Sequence, residues 1–429
     1  MSIVRRAPFS DNPVVGERGQ RARQRILDAA LQVFGEVGYH QTGIARITDI
    51  AGCTRASFYQ YFSSKEDVFR QLAGDVARLL LTTVNDLEPI TADAAGWKSV
   101  RAWVETYGDI YAKYEPVFAA FGAAHDSDEA VASGAARTVK RQVAALRKKV
   151  VDPTLDDDVV ESVLETLLGC MSRTPNMSDL LRRAAPKRAY ERSRIDDALA
   201  DVIHRTLFGL VDDVNVRPAP DEPLGQVRDG ATLLRRFQAG AAPEELSPAA
   251  ERTRRALDEA AREVFVARGF HGTRVDDITE AAGLSHGAFY RYFENKGDMV
   301  RVLAQTALGH VSTSLDVIPD VAGASAAEEA PAMREWLRRY TGAHAAEAAL
   351  IRVWIEASAE DEELSRESAA ALDSGRVRMA RFLAPRRFGD IDADALLLLI
   401  LLDAAVARRR ALDHIEAAAA VVERGLLGL

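Results

Sequence analysis

Arg55, Ser57 and Gln60, with Thr54 just ahead of them, set hydrogen-bonding groups along one short stretch, and Ser285, His286, Ala288 and Arg291 hold the matching places further along the chain. An arginine fork fits the O6 and N7 edge of guanine and a glutamine fits adenine in the same two-pronged way, each good pair giving about 1–3 kcal/mol of discrimination. Such residues at the amino end of a helix are candidate readers of base edges in a DNA major groove. Other chemistries are not legible. The chain carries no nucleophile elbow, phosphate loop, dinucleotide fingerprint or cluster of metal ligands, so neither an enzyme, a metal nor an organic cofactor is expected. Cys53 and Cys170 are too few for a disulfide framework or a zinc knuckle and read as small apolar residues.

The elements that must hold these groups come from an internal repeat. Residues 21–72 align without gaps to residues 252–303, with about twenty of about fifty positions identical. Ile26, Ala29, Ala30, Val33, Phe34 and Val37 fall at helical spacing, and Gly38 suits a left-handed stop. Ile44, Ile47 and Ile50 predict a second, short helix that ends at Gly52. Thr54 is placed to cap a third running to about Tyr61, and Ser285 takes that position in the second copy. Ser64 with Asp67, or Asn295 with Asp298, forms a capping pair that opens a fourth. Two short helices meeting at a glycine turn make a helix-turn-helix.

Around the repeat, 48% hydrophobic and 28% charged residues suit packed globular domains. The longest apolar run, Ala395–Leu402, is too short for a membrane span and reads as a deeply buried helix. The N-terminus shows no export signal, so a cytoplasmic protein without membrane contact is expected. The expected layout is a disordered basic arm over 1–20, a first head over 21–72, a first helical body over 73–211, a Pro-rich linker over 212–249, a second head over 250–303 and a second body over 304–429. A net charge of -9 argues against a polyanion partner, but the charge is unevenly spread, and Arg21, Arg23, Arg252 and Arg254 fall in two basic stretches that could follow a DNA backbone or enter a minor groove.

With Ile47-Thr-Asp-Ile-Ala-Gly-Cys-Thr-Arg-Ala-Ser-Phe-Tyr-Gln-Tyr-Phe-Ser-Ser-Lys65 and Ile278-Thr-Glu-Ala-Ala-Gly-Leu-Ser-His-Gly-Ala-Phe-Tyr-Arg-Tyr-Phe-Glu-Asn-Lys296 in view, the chain resembles a tandem member of the tetracycline-repressor (TetR) family. The resemblance covers both heads closely and both bodies loosely. It implies an all-α fold of two fused units, each a helix-turn-helix head on a helical body, and a repressor of operator DNA that a small ligand releases. The layout is similar to single-chain double repressors of lipid or sterol genes, by architecture alone. Carried over by position, Thr42, Tyr59, Tyr61 and Lys65, and Thr273, Tyr290, Tyr292 and Lys296, would contact phosphates, with each lysine at a positive helix terminus. In the bodies, Asp392–Ala405 with Ile415–Leu427, and Val159–Met171 with Ile195–Leu210, are similar to the helix pairs that build the family's dimer interface; closure within one chain, a pseudo-dimer, is the simplest arrangement, and pairing between chains, with four heads in one assembly, stays open.

Trp103, Tyr107, Tyr111 and Phe121, and Trp336, Tyr340, His344, Arg352 and Trp354, are candidates to line a pocket for a small apolar effector, lipid-like, acyl or aromatic, although such stripes also make ordinary core. Arg55 faces His286, Ser57 faces Ala288 and Gln60 faces Arg291, so a non-palindromic operator is expected. Asp276 and Asp277, where the first head has Ala45 and Arg46, should weaken the second head's electrostatic hold. The rival reading is a DNA-architectural or protein-interaction module in which one head no longer binds specific sites.

Overall fold

The computed structural model describes residues 16–127, 129–184, 191–216, 247–315, 317–319, 326–358, 361–386, 388–407 and 413–429. Most of the expected arm (1–15) and of the linker (217–246) lie outside the described residues, as do the side chains of His40 and Phe121. The elements are α1 (Glu17–Gln41), α2 (Ile44–Ala51), α3 (Arg55–Tyr61), α4 (Lys65–Asn85), α5 (Ala94–Ser127), α6 (Glu129–Arg147), α7 (Asp157–Ala184) and α8 (Arg192–Phe208). After the linker come α9 (Pro248–Arg268), α10 (Val275–Ala281), α11 (His286–Phe289), α12 (Lys296–Leu315), α13 (Ala326–Ser358), α14 (Glu362–Leu383), α15 (Ile391–Ala407) and α16 (Asp413–Ala420), which continues as a π-helical end over Val421–Leu427. The fold is all-α, as expected. Met1–Leu87 with Glu105–Leu146 forms one compact unit, and Glu88–Val104 with Arg147–Leu429 forms another, so the first body is divided between them.

In the first unit α1 buries Ile26, Leu27, Ala29, Ala30, Val33 and Phe34 against α2 and α4. Gly38, at φ 77°, breaks the helix where a side chain would be strained. Proline cannot continue a helix interior without losing a hydrogen bond, and α5 accordingly breaks at Tyr114, two residues before Pro116. The expected arms are corrected: Arg21 and Arg23 stand on α1, which begins at Glu17, and Arg252 and Arg254 on α9, whose start is set by Ser247 as cap and Pro248 in the first turn. Arg21 pairs with Glu17 on an open face, while the Arg23 guanidinium lies 5.5 Å over the Phe62 ring.

In the second unit the repeated head, α9–α12, shares one core with α13, formed by Phe265, Phe270, Ile278, Phe289, Leu350 and Trp354 among others. Beyond it α15 packs on α7, α8, α13, α14 and α16, and α8 packs along the π-helical end. A helix that touches neighbours on every side must be apolar all round, and Ala395–Leu398 are 0–3% exposed. Against α7 and α8 lie α15, α16 and the π-helical end.

Their contact is organised by charge. Arg205 is fully buried; its Nε donates to Gly425 O (2.7 Å), one terminal nitrogen to Asn215 O (3.0 Å) and the other to Asp394 Oδ2 (3.3 Å). Arg386 donates to the same carboxylate oxygen and to Leu426 O, and Phe388 has both guanidinium groups 5.1 Å from its ring. Burial pulls Arg205 below the ordinary guanidinium value and Asp394 opposes the shift. Arg424 returns the contact, Nε to Thr206 O at 3.0 Å. Asn215 is buried, accepting from Val211 N and donating to Gly209 O, so the chain stays packed to 216 and the linker begins later than residue 212.

Removing one partner of a buried ion pair strands the other charge, at about 3–5 kcal/mol. Asp394→Asn should therefore lose about that much stability, read as a lower urea midpoint with unchanged slope; an unshifted midpoint would show the carboxylate to be idle. His204 supplies a pH dependence. Its Nδ1 accepts from Asn215 and its Nε2 donates to Thr91 O, both at 2.9 Å, so the ring is neutral, and burial above all holds its pKa below the ordinary value. The unfolded chain takes up that proton near pH 6.5, so the contribution is complete above about pH 6.5 and is lost as pH falls through the lower folded value. Acid unfolding curves should be less steep in His204→Gln than in the natural chain, and equal steepness would remove His204 from the account.

Candidate DNA interface

The first head is held from below and open above. Ile47, Thr48 and Ala51 are the buried face of α2, Gly52 turns the chain at φ 61°, and Thr54 caps α3 by accepting from Ser57 N at 3.1 Å. On α3 a helical period of 3.6 sorts the side chains. Phe58 and Tyr61, three apart, face the core; Arg55, Tyr59 and Gln60 face solvent, Ser57 is half-buried, and Tyr59 is 50% exposed. That sorting turns Tyr61, 9% exposed, inward against the core.

The second head repeats the scaffold with a different surface. Gly283 turns at φ 67°, Phe289 is the buried anchor, and Tyr290 is 51% exposed. Its third helix is shorter, His286–Phe289, because Ser285 begins it without the side-chain cap that Thr54 supplies and Tyr290 already closes it. Arg291 is exposed, Ala288 half-buried and Tyr292 partly buried. Two contacts here escape sequence reasoning. His286 Nδ1 is bonded to Asp276 Oδ1, and its ring centroid lies 5.1 Å from that of Tyr290. Asp277 accepts from Arg274 N (2.8 Å) and pairs with Arg268 (2.6 Å), and these bonds hold its carboxyl below the usual range, the backbone bond first. In the first head the residue in the place of Asp277, Arg46, pairs instead with Glu36 at 2.8 Å.

Four further phosphate candidates also make contacts within the heads. Thr42 and Thr273 are buried, and their hydroxyls donate to Gly38 O and Gly269 O, each at 2.7 Å, closing the turn behind α1 and α9. Lys65 donates to Tyr39 O (2.8 Å) with Nζ 4.5 Å over the Tyr39 ring; Lys296 donates to Phe270 O (2.6 Å) and Thr273 O (3.0 Å) with Nζ 4.0 Å over the Phe270 ring. Burial lowers the pKa of Lys65 from its ordinary value. Each ammonium thus ties the start of the fourth helix to the exposed carbonyl end of the first. The signal in the sequence was an aromatic residue and a lysine kept at the same separation in both copies.

Most of the effector candidates are buried. Trp103, Tyr107, Tyr111, Trp336, Tyr340 and His344 are buried, with Trp336, Tyr340 and His344 stacked in succession at 5.3 and 5.4 Å. Two of the candidates are relocated: Trp354 packs into the core of the second head, and Arg352 is exposed. His344 Nδ1 has no partner among the described residues, and burial lowers its pKa while Asp403 pulls the other way.

A sequence profile of the bacterial regulatory proteins of the tetR family matches residues 26–72 and 258–303. The HTH-type transcriptional repressor AcnR of Corynebacterium glutamicum is 30% identical over 169 residues, 37% of this chain and 84% of AcnR. The uncharacterized HTH-type transcriptional regulator YdgC of Bacillus subtilis is 41% identical over 58 residues, and the HTH-type transcriptional regulator AcrR of Shigella flexneri 38% over 56. Those two matches take in 14% and 13% of this chain and only 30% and 26% of the relatives' own lengths.

The lysine braces are testable without DNA. A charged hydrogen bond with a cation–π contact contributes about 1–3 kcal/mol. Lys296→Met should lower the thermal midpoint of the full chain accordingly, and Lys65→Met should do so for the first head. Unchanged midpoints would return both residues to a surface role.

Proposed function

Because the chain belongs to the tetR family of bacterial regulatory proteins, we propose that it is a transcriptional repressor whose two heads read the unlike halves of one non-palindromic operator. The observation that carries the proposal is one scaffold with two surfaces. Phe58 and Phe289 anchor equivalent helices at 0% exposure, while the groove-facing positions change from Arg55, Ser57 and Gln60 to His286, Ala288 and Arg291. Base readout belongs to these residues with Thr54 and Ser285, and phosphate contacts to Tyr59 and Tyr290, whose hydroxyls stand on half-exposed rings.

Pairing of the halves within one chain replaces the family's dimer. Arg205 and Arg424 precede equivalent Leu-Phe-Gly-Leu and Leu-Leu-Gly-Leu ends, and each donates Nε to the carbonyl of the residue that follows the other, Gly425 and Thr206, the reciprocity of a two-fold interface. The interface is also heterotypic. Val160 follows Asp156 by four residues as Asp394 follows Asp390, so two first halves facing each other would bury Arg205 against valine. Release is assigned to an apolar effector, acyl or aromatic, acting on the bodies, whose aromatic side chains are packed as core and would have to part to admit it.

Selection of bound sequences from a random duplex pool tests the proposal. One defined, asymmetric site is expected; a palindrome, or sequence-independent coating of the architectural kind, would overturn it. Arg55→Ala should relax the preference at one end of the site by about 1–3 kcal/mol and leave the other end unchanged.

A further inference from the structure

Of all the groups at the two recognition surfaces, His286 is the one whose chemistry is set by a neighbour. The bond from its Nδ1 runs to Asp276 Oδ1, across the turn from the first turn of α10, and among the described residues it is the hydrogen bond that the ring makes. A carboxylate accepts and cannot donate, so the proton of that bond sits on Nδ1. In a neutral imidazole the other nitrogen, Nε2, is then a lone-pair acceptor. The Tyr290 ring at 5.1 Å supports the imidazole from a second direction, and the His286 side chain remains 56% exposed. The first head has Arg55 and Ala45 in these two places, a group that can only donate and no carboxylate to direct it.

We propose that Asp276 is a positioning residue for base recognition: it fixes His286 as the Nδ1–H form, so that the second head offers an acceptor and selects an exocyclic amine, that of cytosine or adenine. In the major groove cytosine presents N4–H and adenine N6–H as donors, whereas the O6 and N7 of guanine call for a donor such as Arg55. The inference rests on the DNA-binding reading above and adds to it the sign of the hydrogen bond that each half-site must supply. It also gives Asp276 a purpose at a surface where a bare carboxylate repels phosphate.

The test is the same random-pool selection with the full chain at about pH 8, where an ordinary imidazole is neutral. His286→Ala identifies the base position that the residue reads, which should be cytosine or adenine in the natural protein. Asp276→Ala frees the ring to carry its proton on Nε2, and the preference at that position should move toward guanine or thymine, which present acceptors, by about tenfold, with first-head positions unchanged. Guanine preferred by the natural protein, or a uniform tightening on all sequences in Asp276→Ala with no change of preference, would overturn the proposal and leave Asp276 as a charge only. Nitrogen-15 spectra of the free chain give a reading independent of DNA: Nδ1–H is expected for His286, and Nε2–H would overturn this inference alone. Failure to select any sequence would instead overturn the DNA-binding reading, and this inference with it.

Discussion

One buried carboxylate, Asp394, holds two buried guanidinium groups, Arg205 from the first half and Arg386 from the second, with Phe388 against both. Such a cluster is poor evidence of net stability, because desolvation of three charges offsets most of the attraction and an apolar replacement of the same shape often does as well. Its consequence is register. Arg205 reaches Gly425 O, Asn215 O and Asp394 together only when α8 lies along the π-helical end in one alignment, and a shift of one residue leaves a full charge without a partner. The π-helical end itself belongs to this geometry. At Gly425 a Cβ would come 2.3 Å from Thr206 Oγ1, so the chain needs a glycine where the two ends cross.

Under the single-chain pairing proposed above, that register would make divergence of the heads tolerable. In a symmetric dimer every substitution appears twice, and both half-sites must follow it. Two halves joined in one chain and paired through unlike residues can change one head alone. The outer side of the third helix is among the places that change, while its buried side keeps Phe58 with Phe62 and Phe289 with Phe293, at ring separations of 5.9 and 5.4 Å. The lysine braces tie the first helix to the start of the fourth in each head, through Tyr39 O and Phe270 O.

Local structure was legible because it is written locally. The stop at Gly38, the turn at Gly52, the cap at Thr54 and the capping pairs at Ser64 and Asn295 all depend on residues within four positions of one another, and each is found where the spacing put it. The roles of Lys65 and Arg205 depend on partners far along the chain, Tyr39 and Asp394, and composition carries no record of such meetings. A charged residue inside an apolar run, Arg205 before Leu207 or Asp394 before the leucines of α15, was the trace available in the sequence. The burial of Tyr61 was legible too, because the helical period alone puts it three residues after Phe58 on the same face.

The acidic residues of the second head show how much a charge count leaves out. Counted from the sequence, Asp276 and Asp277 oppose a polyanion and mark the second head as the weaker one. In the folded head Asp277 lies 2.6 Å from Arg268 and accepts the free N–H of Arg274, so its charge is answered by a cation and a helix terminus within the same head. Asp276 is likewise committed to the His286 imidazole. Asp277, paired with Arg268, projects a dipole, whose field falls off faster than that of a bare charge, whereas Asp276 beside a neutral imidazole keeps its full charge, screened at physiological salt within about 8 Å. A charge count therefore overstates the repulsion at Asp277, while at Asp276 the full charge stays at the surface of the second head beside the imidazole that it holds.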